Sequence, residues 1–246
     1  EVVFDRGGYL HRQDPDFPFR SVAGGLVSRF LYDRKLDGET SLRNRAESAT
    51  NGLGKDAFKK TANKDTTAKL ACAKWFDVRA FGQVFAFASG ADAGGVSIPI
   101  RGPVTIQSAF SKEAVSITST QITKSVSGEG DGSKRGTDTM GMKHRVDSGV
   151  YVTFGSINPQ LAERTGFSDE DAQAIKAVLP KLFENDASSA RPDGSMEVLS
   201  VVWWQHNCKS GQYSSAKVHG SLNVAADGTI SFNDLDGLEP EVINGF

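Results

Sequence analysis

Asp77-Val78-Arg79-Ala80-Phe81-Gly82, then Ile100-Arg101-Gly102-Pro103-Val104, then Ser116-Ile117-Thr118, and finally Met140-Gly141-Met142-Lys143-His144 are the pieces whose reading decides the fold. Strand-like segments alternate there with basic, glycine-rich loops. No acid/base constellation stands among them. Such a pattern suits a surface that grips a phosphate backbone better than a pocket that performs chemistry.

Working outward, Val84 to Phe87, Val104 to Ala109 and Val115 to Ile122 read as strands. Val150, Val152 and Phe154 alternate with Tyr151 and Thr153, the period-two signature of a half-buried strand. Met196 to Gln205, with Val198, Leu199, Val201, Val202, Trp203 and Trp204, predicts a strand central in a sheet. Val2-Val3-Phe4 opens a first strand. Helices are expected over Ser28 to Lys35 and over Thr66 to Phe76, the second placing Ala68, Cys72, Trp75 and Phe76 on one stripe. A third begins at Ser168, an N-cap hydroxyl followed by Asp169, Glu170 and Asp171 near the positive helix end. Pro180 should kink it or split it in two.

Residues 38 to 65 are polar and are expected to be an irregular or mobile segment. Ser125 to Thr139 lacks the apolar content to order itself alone and reads as a mobile tongue. The order of strand, helices, strands, capped helix and buried strand is an α+β plan close to βαββαβ with insertions. Such a ferredoxin-like sheet frames RNA-recognition modules.

Net charge is −2 over 246 residues, which by itself argues against a nucleic-acid binder. Its distribution argues otherwise. No Lys or Arg follows Lys217, whereas Asp227, Asp234, Asp236, Glu239 and Glu241 do. Setting those five aside from the 30 acids leaves 25, against 28 basic residues, so the body is mildly basic and the tail acidic. No apolar run approaches the ~18 residues of a membrane span. With Glu1 in the first position, the start is expected to be processed, trimmed or missing. Cys72 and Cys208 lack CxxC spacing and are read as free thiols of a cytoplasmic protein.

His11, His144, His206 and His219 show no metal spacing, and neither metal nor cofactor is expected. GxSxG, Walker A and Rossmann fingerprints are absent. Lys143 and Arg145 flank His144, for which a backbone-contacting or structural role is favoured over catalysis. His206 reads as a polar cap at a strand end. Arg101-Gly102-Pro103 offers a phosphate clamp, or simply a surface Arg at a strand entry. Asp77 and Arg79 offer a local ion pair at a helix-to-strand turn. Met140 and Met142 are either core or apolar wedges between bases.

As an ordered set, these residues resemble a known family. To the pieces already quoted are added Thr105-Ile106-Gln107, Gly149-Val150-Tyr151-Val152, Leu161 to Asp171 (LAERTGFSDED) and Ser189-Ala190-Arg191. The chain resembles the backbone subunit of the type I CRISPR surveillance complex, Cascade, of the RAMP superfamily and nearest to subtype I-C. The likeness covers about residues 70 to 210. The amino end departs from the family, since Phe4-Asp5-Arg6-Gly7-Gly8 stands where it carries a longer Gly/Asn/Pro loop.

The resemblance implies an RRM-like palm, read as one domain over 1–246, with a β-hairpin thumb at 115–145; the acidic segment at 225–246 has no counterpart in it. It implies a non-enzymatic subunit. Several copies would line one CRISPR RNA, with target DNA and the large, small and 5′-handle-binding subunits as further partners. Arg79, Arg101, Gly102, Gln107, Lys124, Lys134, Arg135, Met140, Lys143 and His144 become the candidates for RNA contact. The alternatives are a metal-independent repeat-RNA endoribonuclease using His144, and a self-assembling protein that binds no nucleic acid.

Overall fold

The computed structural model describes residues 2–5, 41–87, 96–123, 140–184 and 192–246. The helix expected over Ser28 to Lys35 and the tongue from Ser125 to Thr139 lie outside them. β1 (Val2–Asp5) is followed by α1 (Leu42–Glu47), α2 (Lys64–Lys74) and α3 (Phe76–Phe81). β2 (Gly82–Phe87) and β3 (Val96–Arg101) come next, then β4 (Val104–Ile106), β5 (Phe110–Ser111), β6 (Ile117–Thr123) and β7 (Met140–Val146). β8 (Tyr151–Thr153), β9 (Gly155–Ile157), α4 (Pro159–Thr165), α5 (Asp169–Val178) and β10 (Glu197–Trp204) precede α6 (Ser215–His219). β11 (Leu222–Val224), β12 (Ile230–Phe232) and β13 (Pro240–Asn244) end the series.

The largest sheet has the order β13-β10-β1-β8-β5, antiparallel throughout. Leaving out β13, its strands stand in the order fourth, first, third, second along the chain. That is the α+β arrangement of a βαββαβ unit. Val2 lies opposite both Val201 and Thr153, so β1 joins the two halves of the sheet. β10 is an interior strand, and Val201 and Val202 are fully buried, as its apolar run predicts.

One face of this sheet packs on helix. Val198 and Val201, with Tyr151, Trp203 and Ile243 beside them, meet Ile175, Leu179, Leu182 and Phe183. The helix that supplies them is fixed at its start by a capping box. Ser168 Oγ accepts from the Asp171 amide at 3.2 Å, and the Asp171 carboxylate accepts from the Ser168 amide at 3.0 Å. Pro180 does end the α-helix: the chain continues as a 3-10 turn over Leu179–Lys181 because proline removes a donor. The other face is covered by the β11–β12 hairpin, whose Val224 and Ile230 pack on Val150, Val152 and Leu199.

A second core lies under the β2–β3 hairpin, where Phe58, Cys72, Trp75, Val78, Phe85, Phe87 and Ile98 interlock. Phe58 stands 5.3 Å from both Phe85 and Phe87, ring centre to ring centre. Residues from 41 to 65 therefore correct the expectation of irregular chain. Ser41 caps α1, Lys55–Phe58 form a 3-10 turn, and Ala46 and Phe58 enter this core. Ala46 and Phe58, with Leu42, Leu53 and Ala57 packed beside them, anchor this otherwise polar segment to the wall that the β2–β3 hairpin supplies. The acidic end of the chain, unplaced by sequence, forms β12 and β13, the latter pairing with β10 from Ser200↔Asn244 to Trp204↔Pro240.

Candidate nucleic-acid interface

Asp77 and Arg79 do not pair with each other, and each holds a different element. Asp77 receives two hydrogen bonds from Arg45 on α1, at 2.7 and 2.9 Å. The pair is buried, and the Arg45 guanidinium also lies 5.0 Å over the Trp75 ring. Arg79 donates Nε and Nη2 to Asp171 at 2.7 and 2.8 Å, and Nη1 to the Cys72 carbonyl. Its guanidinium is thus engaged in tying α3 to the start of α5. On a helix, residues two apart point to different sides, which is why the local pair fails.

Burial works to raise the Asp171 carboxyl, but the Arg79 fork and the Ser168 amide outweigh it and hold the pKa below the ordinary value. A depressed folded pKa gives stability that is present above the unfolded pKa and lost as pH falls through the folded one. Stability should accordingly fall on acidification below about pH 4. In Asp171→Asn that part of the acid limb should flatten, as read by denaturant unfolding at stepped pH.

Arg101 closes β3 at the surface and has no ion-pair partner among the described residues. The chain on either side of it is tightly held. Gly102 and Pro103 are buried. A Cβ on Gly102 would stand 2.3 Å from the Ala80 carbonyl oxygen, and one on Gly82 2.3 Å from that of Ile100. Gly82 also has φ +81° and ψ 172°, a region essentially reserved for glycine. The close approach that Gly102 permits is thus filled by the protein's own backbone, and the guanidinium of Arg101 projects from a rigid clasp. Gln107 is exposed; its amide bonds the Phe154 carbonyl, and its own carbonyl accepts from Thr153 Oγ1 at 2.6 Å.

β6 and β7 pair residue for residue from Ile117↔Val146 to Thr123↔Met140. Seven residues per strand give a hairpin about 23 Å long. It rises between β5 and β8, where a βαββαβ unit has its own hairpin. Strand alternation sorts its side chains onto two faces. Lys143 and Arg145 share one face with Thr118, Thr120 and Ile122; Met140, Met142 and His144 share the other with Ser119 and Gln121. Met140 and Met142 are exposed and so are wedge candidates, not core. Arg145 donates to Asp147 at 2.9 Å, and Asp147 accepts from Thr118 at 2.5 Å. His144 Nδ1 lies 2.8 Å from Ser119 Oγ. Lys124, Lys134 and Arg135 lie outside the described residues.

The structure thus groups Met140, Lys143 and His144 on one projecting element and sets Arg101 on another. Arg79 and Gly102 are turned to internal packing. His206 caps its strand end as expected, its Nδ1 accepting from the Gln212 amide at 3.0 Å. Among the described residues no cluster of three metal-ligating side chains occurs, and no helix is long and apolar enough to cross a membrane.

An antiparallel RRM-like α+β sheet with one long, cationic and methionine-edged hairpin defines the class of the protein. The family model for CRISPR-associated protein Cas7 matches residues 29–238, and the chain belongs to that family. No curated protein matches the chain.

Proposed function

We propose that this chain is the guide-RNA-binding backbone subunit of a type I Cascade complex, of the I-C kind, and that it binds without cutting. The family match over residues 29–238 carries the reading. The two-faced hairpin supports it: a cationic face suits phosphates, and the exposed methionines of the other suit the flat faces of bases. Head-to-tail contacts that do not close give a helical filament, and each copy would hold one short run of guide while base pairing reads the target. Target DNA and the large, small and 5′-handle-binding subunits are the partners of that assembly.

Purified with guide RNA, the protein should form a curved multi-copy particle in electron micrographs. A strictly 1:1 complex insensitive to salt would overturn the proposal. Arg101→Ala and Lys143→Ala should each weaken binding by a similar factor for every guide sequence. Removing one cation from a phosphate should lower the slope of log K against log salt by about 0.7. A weakening confined to particular spacers would contradict backbone recognition.

The Ser119–His144 contact at 2.8 Å favours a second reading, a metal-independent ribonuclease with His144 as acid or base. Incubation with repeat RNA separates the two. Cleavage that disappears in His144→Ala supports the enzyme, and intact RNA removes it.

A further inference from the structure

The sheet face turned away from α5 carries Trp204, Phe154 and Phe110, by the pairing Phe110↔Val152 and the alternation along β8 and β10. Two of these rings are covered by the carboxyl-terminal part of the chain. Trp204 meets Phe232 edge-on at 6.3 Å, and Phe154 lies 4.5 Å from the His219 ring. Phe110 is 72 % exposed on the edge strand, and no ring or cation partner for it exists among the described residues. Lys112 follows two positions on, and its amide still joins the ladder through the Val150 carbonyl at 2.9 Å. That bond sets the Lys112 backbone opposite Val150, next to the pairing of Phe110 with Val152. Lys112 too is exposed, with no ion pair among the described residues.

We propose that Phe110 and Lys112 form a contact for one nucleotide of single-stranded RNA, the ring stacking on a base and the ammonium meeting an adjacent phosphate. The inference rests on the reading that this chain binds RNA. A bare phenyl ring beside a cation, on the open rim of an RRM-like sheet, has the two chemistries that single-strand binders combine. The middle of the same face is closed by β11 and β12, which leaves β5 as its open margin. Stacking tolerates every base, so the contact adds affinity without adding sequence preference.

The test is fluorescence anisotropy of a labelled single-stranded RNA with wild type, Phe110→Leu, Phe110→Trp, Lys112→Ala and Arg101→Ala. Phe110→Leu keeps apolar bulk but removes the ring. It should weaken binding about 5- to 100-fold with the salt slope unchanged, and Phe110→Trp should retain wild-type affinity. Lys112→Ala should lower the slope by about 0.7. An abasic RNA should bind wild type and Phe110→Leu equally. If Phe110→Leu binds like wild type while Arg101→Ala is weakened, the stacking contact is overturned and the RNA-binding reading stands. If Phe110→Leu alters self-association in sedimentation but not RNA affinity, the ring serves a protein contact and the proposal fails. If wild type binds no RNA, both fall.

Discussion

Asp77→Ala should lower the free energy of unfolding by about 3–5 kcal/mol, the range for breaking a buried ion pair by removing one member. The reason is asymmetry. Arg45 and Asp77 are 6 % and 7 % exposed, and their two parallel hydrogen bonds offset the cost of taking both charges out of water. Removing the carboxylate takes two charge-assisted hydrogen bonds from a guanidinium that lies over the Trp75 ring. Arg45→Ala should cost a similar amount. The double replacement Arg45→Met with Asp77→Leu should cost much less than the two single effects added, because both charges of the pair are then replaced by apolar side chains of similar volume. Urea unfolding of the four proteins measures this directly. Additive effects would show that the pair is not coupled.

Gly82→Ala should be comparably damaging. The positive-φ backbone conformation costs about 1–3 kcal/mol for any residue with a Cβ, and overpacking against the Ile100 carbonyl adds about 1–3 kcal/mol. Gly102→Ala meets the same wall from the other side, through Ala80 and Gly82. Since Arg101 stands between these contacts, either change should also move its guanidinium. Thermal unfolding and RNA affinity should therefore fall together in Gly82→Ala. In Arg101→Ala only the affinity should fall, because an exposed Arg contributes little to stability.

The palm was legible where local pattern and burial agree. The valines and tryptophans of 198–204 announce an interior strand, and Ser168-Asp169-Glu170-Asp171 announces a capped helix start. The first strand of the long hairpin, Val115 to Ile122, is readable from its β-branched run, whereas the hairpin itself is only what the family resemblance implies, because Met140–Val146 carries no such run. Less accessible was anything that depends on a distant partner. Asp77 with Arg79 looks like a local ion pair, yet their partners lie 32 and 92 residues away. Residues 41–65 look like solvent-facing loop because the wall they pack on is written elsewhere in the sequence. β3 carries Pro99, which hid it; proline is tolerated in a two-stranded sheet with a free edge. Of the candidate site, the residue types were visible, but that Met140 and Lys143 share one strand, and so stand on opposite faces, was not, because Met140–Val146 has no β-branched run to announce it. Phe110 carried no sequence signal beyond being apolar, and exposure alone distinguishes it.

The pairing of Val2 with Val201 also sets an order of events in time. During synthesis the first strand has no neighbour until β8 has emerged about 150 residues after it, β10 follows about fifty residues later, and the outer strand joins only with Pro240–Asn244. The aromatic lobe spanning Leu42 to Arg101 needs no later sequence for its own core. It can fold while the palm is still an open set of strands. Pairings so far apart along the chain make the palm the slow step. Until it closes, β10 presents an apolar, unsatisfied edge, the stage at which aggregation competes with folding.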